Sequence, residues 1–163
     1  MAEEKLNAGN IDDDADFDNE DTQEDKYLTF TIGEEDYGFE IKYVVEIIGI
    51  QKIIDVPDMP HYIKGVINLR GKVIPVMDVR LRFSFEKREY DDRTCIIVIN
   101  VNEKLVGVIV DRVSEVLDIP KTQIEPAPNM KKNESSKFLQ GMGKIAEKVV
   151  ILLNADKLLF EDR

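Results

Sequence analysis

Two stretches of this chain are each written twice. Residues 62–83, which open Tyr62-Ile-Lys-Gly-Val-Ile-Asn-Leu-Arg-Gly-Lys-Val-Ile-Pro-Val-Met-Asp78, lie over residues 138–159 at an offset of 76. Gly65 then falls on Gly141, Lys72 on Lys148 and Val73 on Val149. At an offset of 69, residues 27–48 lie over 96–117 without a gap, so that Glu34 meets Glu103, Gly38 meets Gly107, Val44 meets Val113 and Glu46 meets Glu115. Two copies fall short of the roughly three that a solenoid needs, so paired subdomains are the expected architecture. The copies differ at one telling position. Arg70 is matched by Ala146, so a site that uses this arginine belongs to the first copy.

The repeated unit reads as β structure. Val66-Ile67 and Val73 to Met77 are short β-branched runs, and they flank Asn68-Leu69-Arg70-Gly71, whose Asn and Gly are turn formers, so the segment is a hairpin with Arg70 at its tip or shoulder. An arginine among apolar strands needs a carboxylate partner. Pro75 has no N–H to donate, which puts its strand at a sheet edge or a bulge. Residues 27–32 and 37–41 form another hairpin around Gly33-Glu-Glu-Asp36, and Thr94–Val101 with Leu105–Val110 form its repeat. Ile41, Val44, Val45, Ile47 and Ile48 recur at helical spacing, so residues 42–48 read as a short helix or turn ended by Gly49, with Val113, Val116 and Leu117 repeating it. Lys52 to Val56 reads as a further short strand, residues 83–93 as the polar connection between the copies, and 156–160 as a helical end. Many short strands with frequent turns favour barrels or sandwiches over a parallel sheet.

Charge is unevenly placed. The formal charge is −11, yet residues 1–26 hold 11 acids and 2 bases, which leaves 22 acids against 20 bases for residues 27–163. The run Asp12-Asp-Asp-Ala-Asp-Phe-Asp-Asn-Glu-Asp21 is too charged and too poor in apolar residues to offset chain entropy, so residues 1–25 are expected to be a disordered acidic tail. A calcium loop would need a glycine at its sixth position and two flanking helices, and the run has neither. No apolar stretch approaches the roughly 20 residues of a membrane span, so a soluble cytoplasmic protein is expected, with any membrane association made through a partner. Cys95 is the only cysteine, which excludes an internal disulfide, and its place at the start of an apolar strand marks a structural thiol.

Catalytic patterns are missing from the sequence: there is no GxxxxGK[ST], no GxGxxG after a strand, no HExxH and no CxxC. One histidine, His61, and one cysteine cannot assemble the usual base and nucleophile pairs or a His-based metal site, and His61 follows the loop Pro57-Asp-Met-Pro60. Asp78 and Asp111 stand at strand ends close to Arg80 and Arg112, where caps or local ion pairs account for them. A nearly neutral folded part without Trp lacks the basic, aromatic face of a nucleic-acid binder. Protein binding without catalysis, metal or cofactor is what remains.

Five segments, taken together and in this order, resemble the CheW-like domain family of bacterial chemotaxis: Val44-Val-Glu-Ile47, Gly65-Val-Ile-Asn-Leu-Arg-Gly71, Val73-Ile-Pro-Val-Met-Asp78, Val106-Gly-Val-Ile-Val-Asp111 and Phe138-Leu-Gln-Gly141. The resemblance covers about residues 26–160. It implies a mainly β fold of two SH3-like five-stranded β-barrels packed side by side over residues 26–162. The barrel subdomains would be interleaved, the first copy centred on 27–83 and the second on 94–159. It implies a non-catalytic adaptor that couples the cytoplasmic tip of methyl-accepting chemoreceptors to the regulatory domain of the histidine kinase CheA, in arrays at the inner face of the membrane. An adaptor for a non-flagellar chemosensory kinase is the alternative that the residues leave open.

The same resemblance implies the site. The receptor-binding groove falls on Leu28, Ile41, Val44 and Ile47 of the first copy and Val113 of the second. Glu46 and Arg70 fall on a salt-bridged pair that holds the groove in shape, which supplies the carboxylate that Arg70 needs. Met130 falls on a large apolar residue used in an end-to-end contact with kinase-domain barrels, although here it stands in a Lys- and Asn-rich loop. The acidic tail is expected to be dispensable for receptor binding.

Overall fold

The computed structural model describes residues 23–126 and 136–160. The acidic run at 12–21 and Met130 lie outside the described residues.

Four hairpins build most of the fold, and each turns in two residues: β1 (Lys26–Ile32) with β2 (Glu35–Glu40), β4 (Ile63–Leu69) with β5 (Lys72–Asp78), β6 (Cys95–Val101) with β7 (Lys104–Val110), and β10 (Leu139–Ile145) with β11 (Lys148–Leu153). Two-residue turns require left-handed backbone to match the strand twist. Arg70 and Gly71 have φ of 53° and 89°, and Asn102 and Glu103 have 54° and 67°, positive at both positions as a type I′ turn demands. The Asn68 side chain accepts the Gly71 N–H at 2.9 Å. Single edge strands β3 (Val44–Gly49) and β8 (Arg112–Asp118), the two-residue β9 (Ile124–Glu125), and helices α1 (Val79–Arg82) and α2 (Ala155–Phe160) complete the order.

The strands form two sheets, one ordered β8-β1-β2-β11-β10-β9 and the other β3-β6-β7-β5-β4. The mainly β, two-sheet architecture is the one expected, with five strands in one sheet and a sixth, β9, in the other. Each sheet takes one hairpin from each sequence copy. β1–β2 of the first copy joins β10–β11 of the second through a parallel pairing that sets Ile151 against Tyr37, and β6–β7 joins β4–β5 through a parallel pairing that sets Met77 against Val108. Against the expectation of an edge or a bulge, Pro75 lies on an inner strand, since β5 is flanked by β7 and β4. It stands one residue before the β7 ladder begins at Val76, so its missing N–H costs no bond there.

The largest apolar core lies between the sheets. Leu28, Phe30, Ile32, Tyr37 and Phe39 from one meet Met77, Ile97, Ile99, Val106, Val108 and Val110 from the other, with Phe83 and Phe138 stacked at 6.0 Å between centroids. Smaller cores sit against the outer face of each sheet, around Ile67, Ile74, Ile96 and Val98 in one and around Tyr27, Ile119, Val150 and Leu152 in the other. Successive residues of β6 therefore bury on opposite faces, which is why that strand is a nearly continuous apolar run.

Three sequence expectations need correction. Residues 42–48 are a 3-10 turn at Ile41–Tyr43 followed by strand β3, and 113–117 belong to strand β8, not to a helical turn. Both strands carry a bulge, between Val44 and Glu46 and opposite Leu28 to Phe30. One inserted residue turns an alternating apolar pattern into a near-helical one. Lys52–Val56 forms no strand and contributes only an isolated bridge from Ile54 to Val66. Cys95 is partly buried beside the main core, its thiol on the Arg93 carbonyl at 3.3 Å, rather than fully enclosed.

Candidate protein-binding groove

β3 and β8 are edge strands, one on each sheet, and both border the inter-sheet core. Cross-strand partners share a face. Val44 pairs with Ile99 and Ile47 with Ile97, both core residues, while Val113 pairs with Phe30 and Val116 with Leu28. The edge strands therefore present two apolar pairs, Val44 with Ile47 and Val113 with Val116, over one core. The offset of 69 relates each residue of one pair to its mate in the other.

Ile41, Val44 and Val113 are partly buried against the core, and Ile41 enters from the 3-10 turn that leads into β3. Ile47 is 43% exposed and Val116 49% exposed, the most open of these side chains. Leu28 is different. It is 3% exposed and belongs to the core, so it supports the strip from beneath and does not line it. The reason is that β1 is an inner strand and Leu28 faces the core between the sheets. Val116 enters the sequence reading only as part of the apolar repeat with Val113 and Leu117 and not as a groove residue, although the offset that sets Val113 over Val44 also sets Val116 over Ile47.

Glu46 and Arg70 form an ion pair. Arg70 sits in the β4–β5 turn with its side chain 70% exposed against 27% for Glu46, so the arginine held among apolar side chains in the sequence reading is in fact a surface residue. Such a pair contributes about 0–1 kcal/mol. Its value is geometric: it joins β3, one margin of the five-stranded sheet, to the turn beside β4, the other margin.

The two strand-end aspartates hold the connection between the copies. Asp111, at the step from β7 to β8 and so from one sheet to the other, accepts from Arg80 Nε at 2.9 Å, Arg80 Nη2 at 2.7 Å, Arg88 Nη1 at 2.9 Å and the Gly33 amide at 2.7 Å. Burial works against ionisation of Asp111, but the bonds from Arg80 and Gly33 and the charges of Arg80 and Arg88 outweigh it and hold the carboxyl below the usual range. Its partner is Arg80 and not the adjacent Arg112. Asp78 caps α1 through the Arg80 amide and accepts from the Tyr90 hydroxyl at 2.7 Å. Burial, then this bond and the Asp78 charge, push the Tyr90 phenol up. His61 is an exposed loop residue against the edge of Tyr62.

Among the described residues, no group of three His, Cys, Asp or Glu side chains is placed to hold a metal ion, and no helix is long and apolar enough to cross a membrane. Two packed β sheets, each with apolar residues along one edge strand, define a protein-interaction module. The chain belongs to the CheW-like domain family, whose pattern residues 26–163 match. It is 40% identical over 134 residues to the chemotaxis protein CheW of Klebsiella aerogenes, covering 82% of this chain and 81% of that one. With the CheW of Thermotoga maritima it shares 33% identity over 144 residues, 85% and 90% of the two chains. Among solved structures, the scaffolding protein TtCheW from Thermoanaerobacter tengcongensis superimposes with a TM-score of 0.78 at 36% identity, over 85% of this chain and 93% of that one. This is a non-catalytic scaffold protein of chemotaxis.

Proposed function

We propose that the protein couples methyl-accepting chemoreceptors to the histidine kinase CheA by binding the receptor's cytoplasmic tip along the strip of Ile41, Val44, Ile47, Val113 and Val116. One observation carries this reading: the repeat-related edge strands β3 and β8 set matching apolar pairs over a shared core. An amphipathic helix can lay its apolar face on such a strip at little polar cost. Glu46 and Arg70 hold the margin of β3, and Leu28 backs the strip from the core. The regulatory domain of CheA takes a barrel end, with Met130 in that contact. Residues 26–162 act as the coupling domain and residues 1–25 as a tail outside it, at the inner face of the cell membrane.

The mechanism is linkage without chemistry. A receptor state that binds the strip more tightly shifts the complex toward the kinase state that the bound scaffold favours, by no more than its differential affinity. Ile47→Asp and Val116→Asp test this by placing a charge on the strip at the two residues that are 43% and 49% exposed. Each is expected to weaken binding of a soluble receptor-tip fragment at least about tenfold while leaving binding of the isolated kinase regulatory domain within about twofold. Equal loss for both partners, with a normal thermal midpoint, would contradict separate sites.

A further inference from the structure

We infer that Glu115 and Lys148 are a second positioning pair for the strip, the counterpart on β8 of Glu46 and Arg70 on β3; the inference rests on the receptor-binding reading above. Glu115 is the repeat mate of Glu46, and each stands on an edge strand beside a bulge. Arg70 has no charged mate, because Ala146 occupies that turn position. The charge has moved two residues along the chain: Lys148, the mate of Lys72, opens β11 and sets Nζ 3.7 Å from Glu115 Oε2. In the sheet order β8-β1-β2-β11-β10-β9, β8 and β11 are not neighbours, so this contact, like that of Glu46 with Arg70, joins an edge strand to a segment it does not pair with.

The backbone at Glu115 is fixed independently. The Thr29 hydroxyl donates to the Glu115 carbonyl at 2.7 Å and accepts the Glu115 N–H at 3.2 Å, and Thr29 is 1% exposed. Thr29 sets the register of Glu115 between Val113 and Val116, and Lys148 then sets the direction in which the Glu115 carboxylate leaves that wall. At 3.7 Å, with side chains 57% and 40% exposed, this is a weak surface pair. Its role is to orient the second wall, not to stabilise the fold.

The test has two arms. In the free, isotopically labelled protein, Lys148→Ala is expected to shift the amides of residues 113–116 with the thermal midpoint unchanged, and silence there overturns the pair. In titrations with a soluble receptor-tip fragment, Lys148→Glu is expected to weaken binding about fivefold at low salt and less at about 0.5 M, where charges are screened within a few ångströms. The double variant E115K/K148E is expected to return to within about twofold of the parent, a rescue that a purely steric role would not give. Unchanged affinity in Lys148→Glu, or losses that add in the double variant, overturns the inference. A parent protein that fails to bind the fragment overturns the receptor reading and the role of the pair together, and the free-protein arm then separates that failure from absence of the pair.

Discussion

Asp111 accepts four hydrogen bonds from three residues that belong to different parts of the chain: the β1–β2 turn, helix α1 and the connection between the copies. Its carboxyl is held below its ordinary value, so the fold gains stability that is present above the unfolded value of about 3.9 and lost as pH falls through the lower folded value. The thermal midpoint is expected to decline on acidification below about pH 4, and Asp111→Asn is expected to lower it at pH 7 and flatten that decline; unfolding followed by circular dichroism from pH 7 to 3 checks both. Glu46 and Arg70 sit at the other extreme. Because Arg70 is largely exposed, a double-mutant cycle with Glu46→Ala and Arg70→Ala is expected to give a coupling in stability of about 1 kcal/mol or less. A coupling several times larger, measured by denaturant unfolding, would mean that the pair is desolvated.

At the scale of elements, close backbone approach decides what glycine does. Gly65 has φ of 147°, and a Cβ there would lie 2.1 Å from the Ile54 carbonyl oxygen, so the single bridge between Ile54 and Val66 exists because residue 65 has no side chain. Its mate Gly141 plays the same part for β9, where a Cβ would lie 2.9 Å from the Glu125 carbonyl. Gly71 has φ of 89° but open space around its Cβ position. Gly71→Ala is therefore expected to cost about 1–2 kcal/mol from backbone strain alone, and Gly65→Ala about 3 kcal/mol or more, with loss of amide protection at Ile54 and Val66 in hydrogen exchange. Equal costs would contradict this reading of the bridge.

The same scale explains what the sequence could and could not disclose. Hairpins were legible because period-two alternation and the Asn68-Leu69-Arg70-Gly71 turn are local signals. The edge strands were not, because bulges at 44–46 and 113–116 break the alternation into a spacing that mimics a helix. Leu28 falls on the strip only through the family resemblance, and the packing of β1 against the other sheet is what places its side chain in the core. Val116 was within reach of the repeat, but nothing in the apolar spacing alone separated it from a core residue.

Across the whole molecule, the repeat and the sheets divide the chain differently. Each sheet joins hairpins from both copies by parallel ladders between segments distant in sequence, Tyr37 with Ile151 and Met77 with Val108, which no local pattern announces. The largest core then lies between the sheets, so neither can keep it buried alone. The two are expected to unfold in one cooperative transition, and Phe30→Ala, at 0% exposure in that core, is expected to cost about 3–5 kcal/mol and to lower the midpoint reported from either sheet equally. Two separate transitions would contradict a shared core. This arrangement also makes the strip a property of the whole fold, since one wall is carried by each sheet.

The most direct test of that central claim is a titration of isotopically labelled protein with a soluble chemoreceptor-tip fragment, scored by which backbone amides shift. Shifts concentrated on residues 41–48 and 110–117, on both walls and in parallel, are the expected result. Shifts confined to one wall, or none in a well-folded protein at high fragment concentration, would contradict a receptor groove shared between the two sheets.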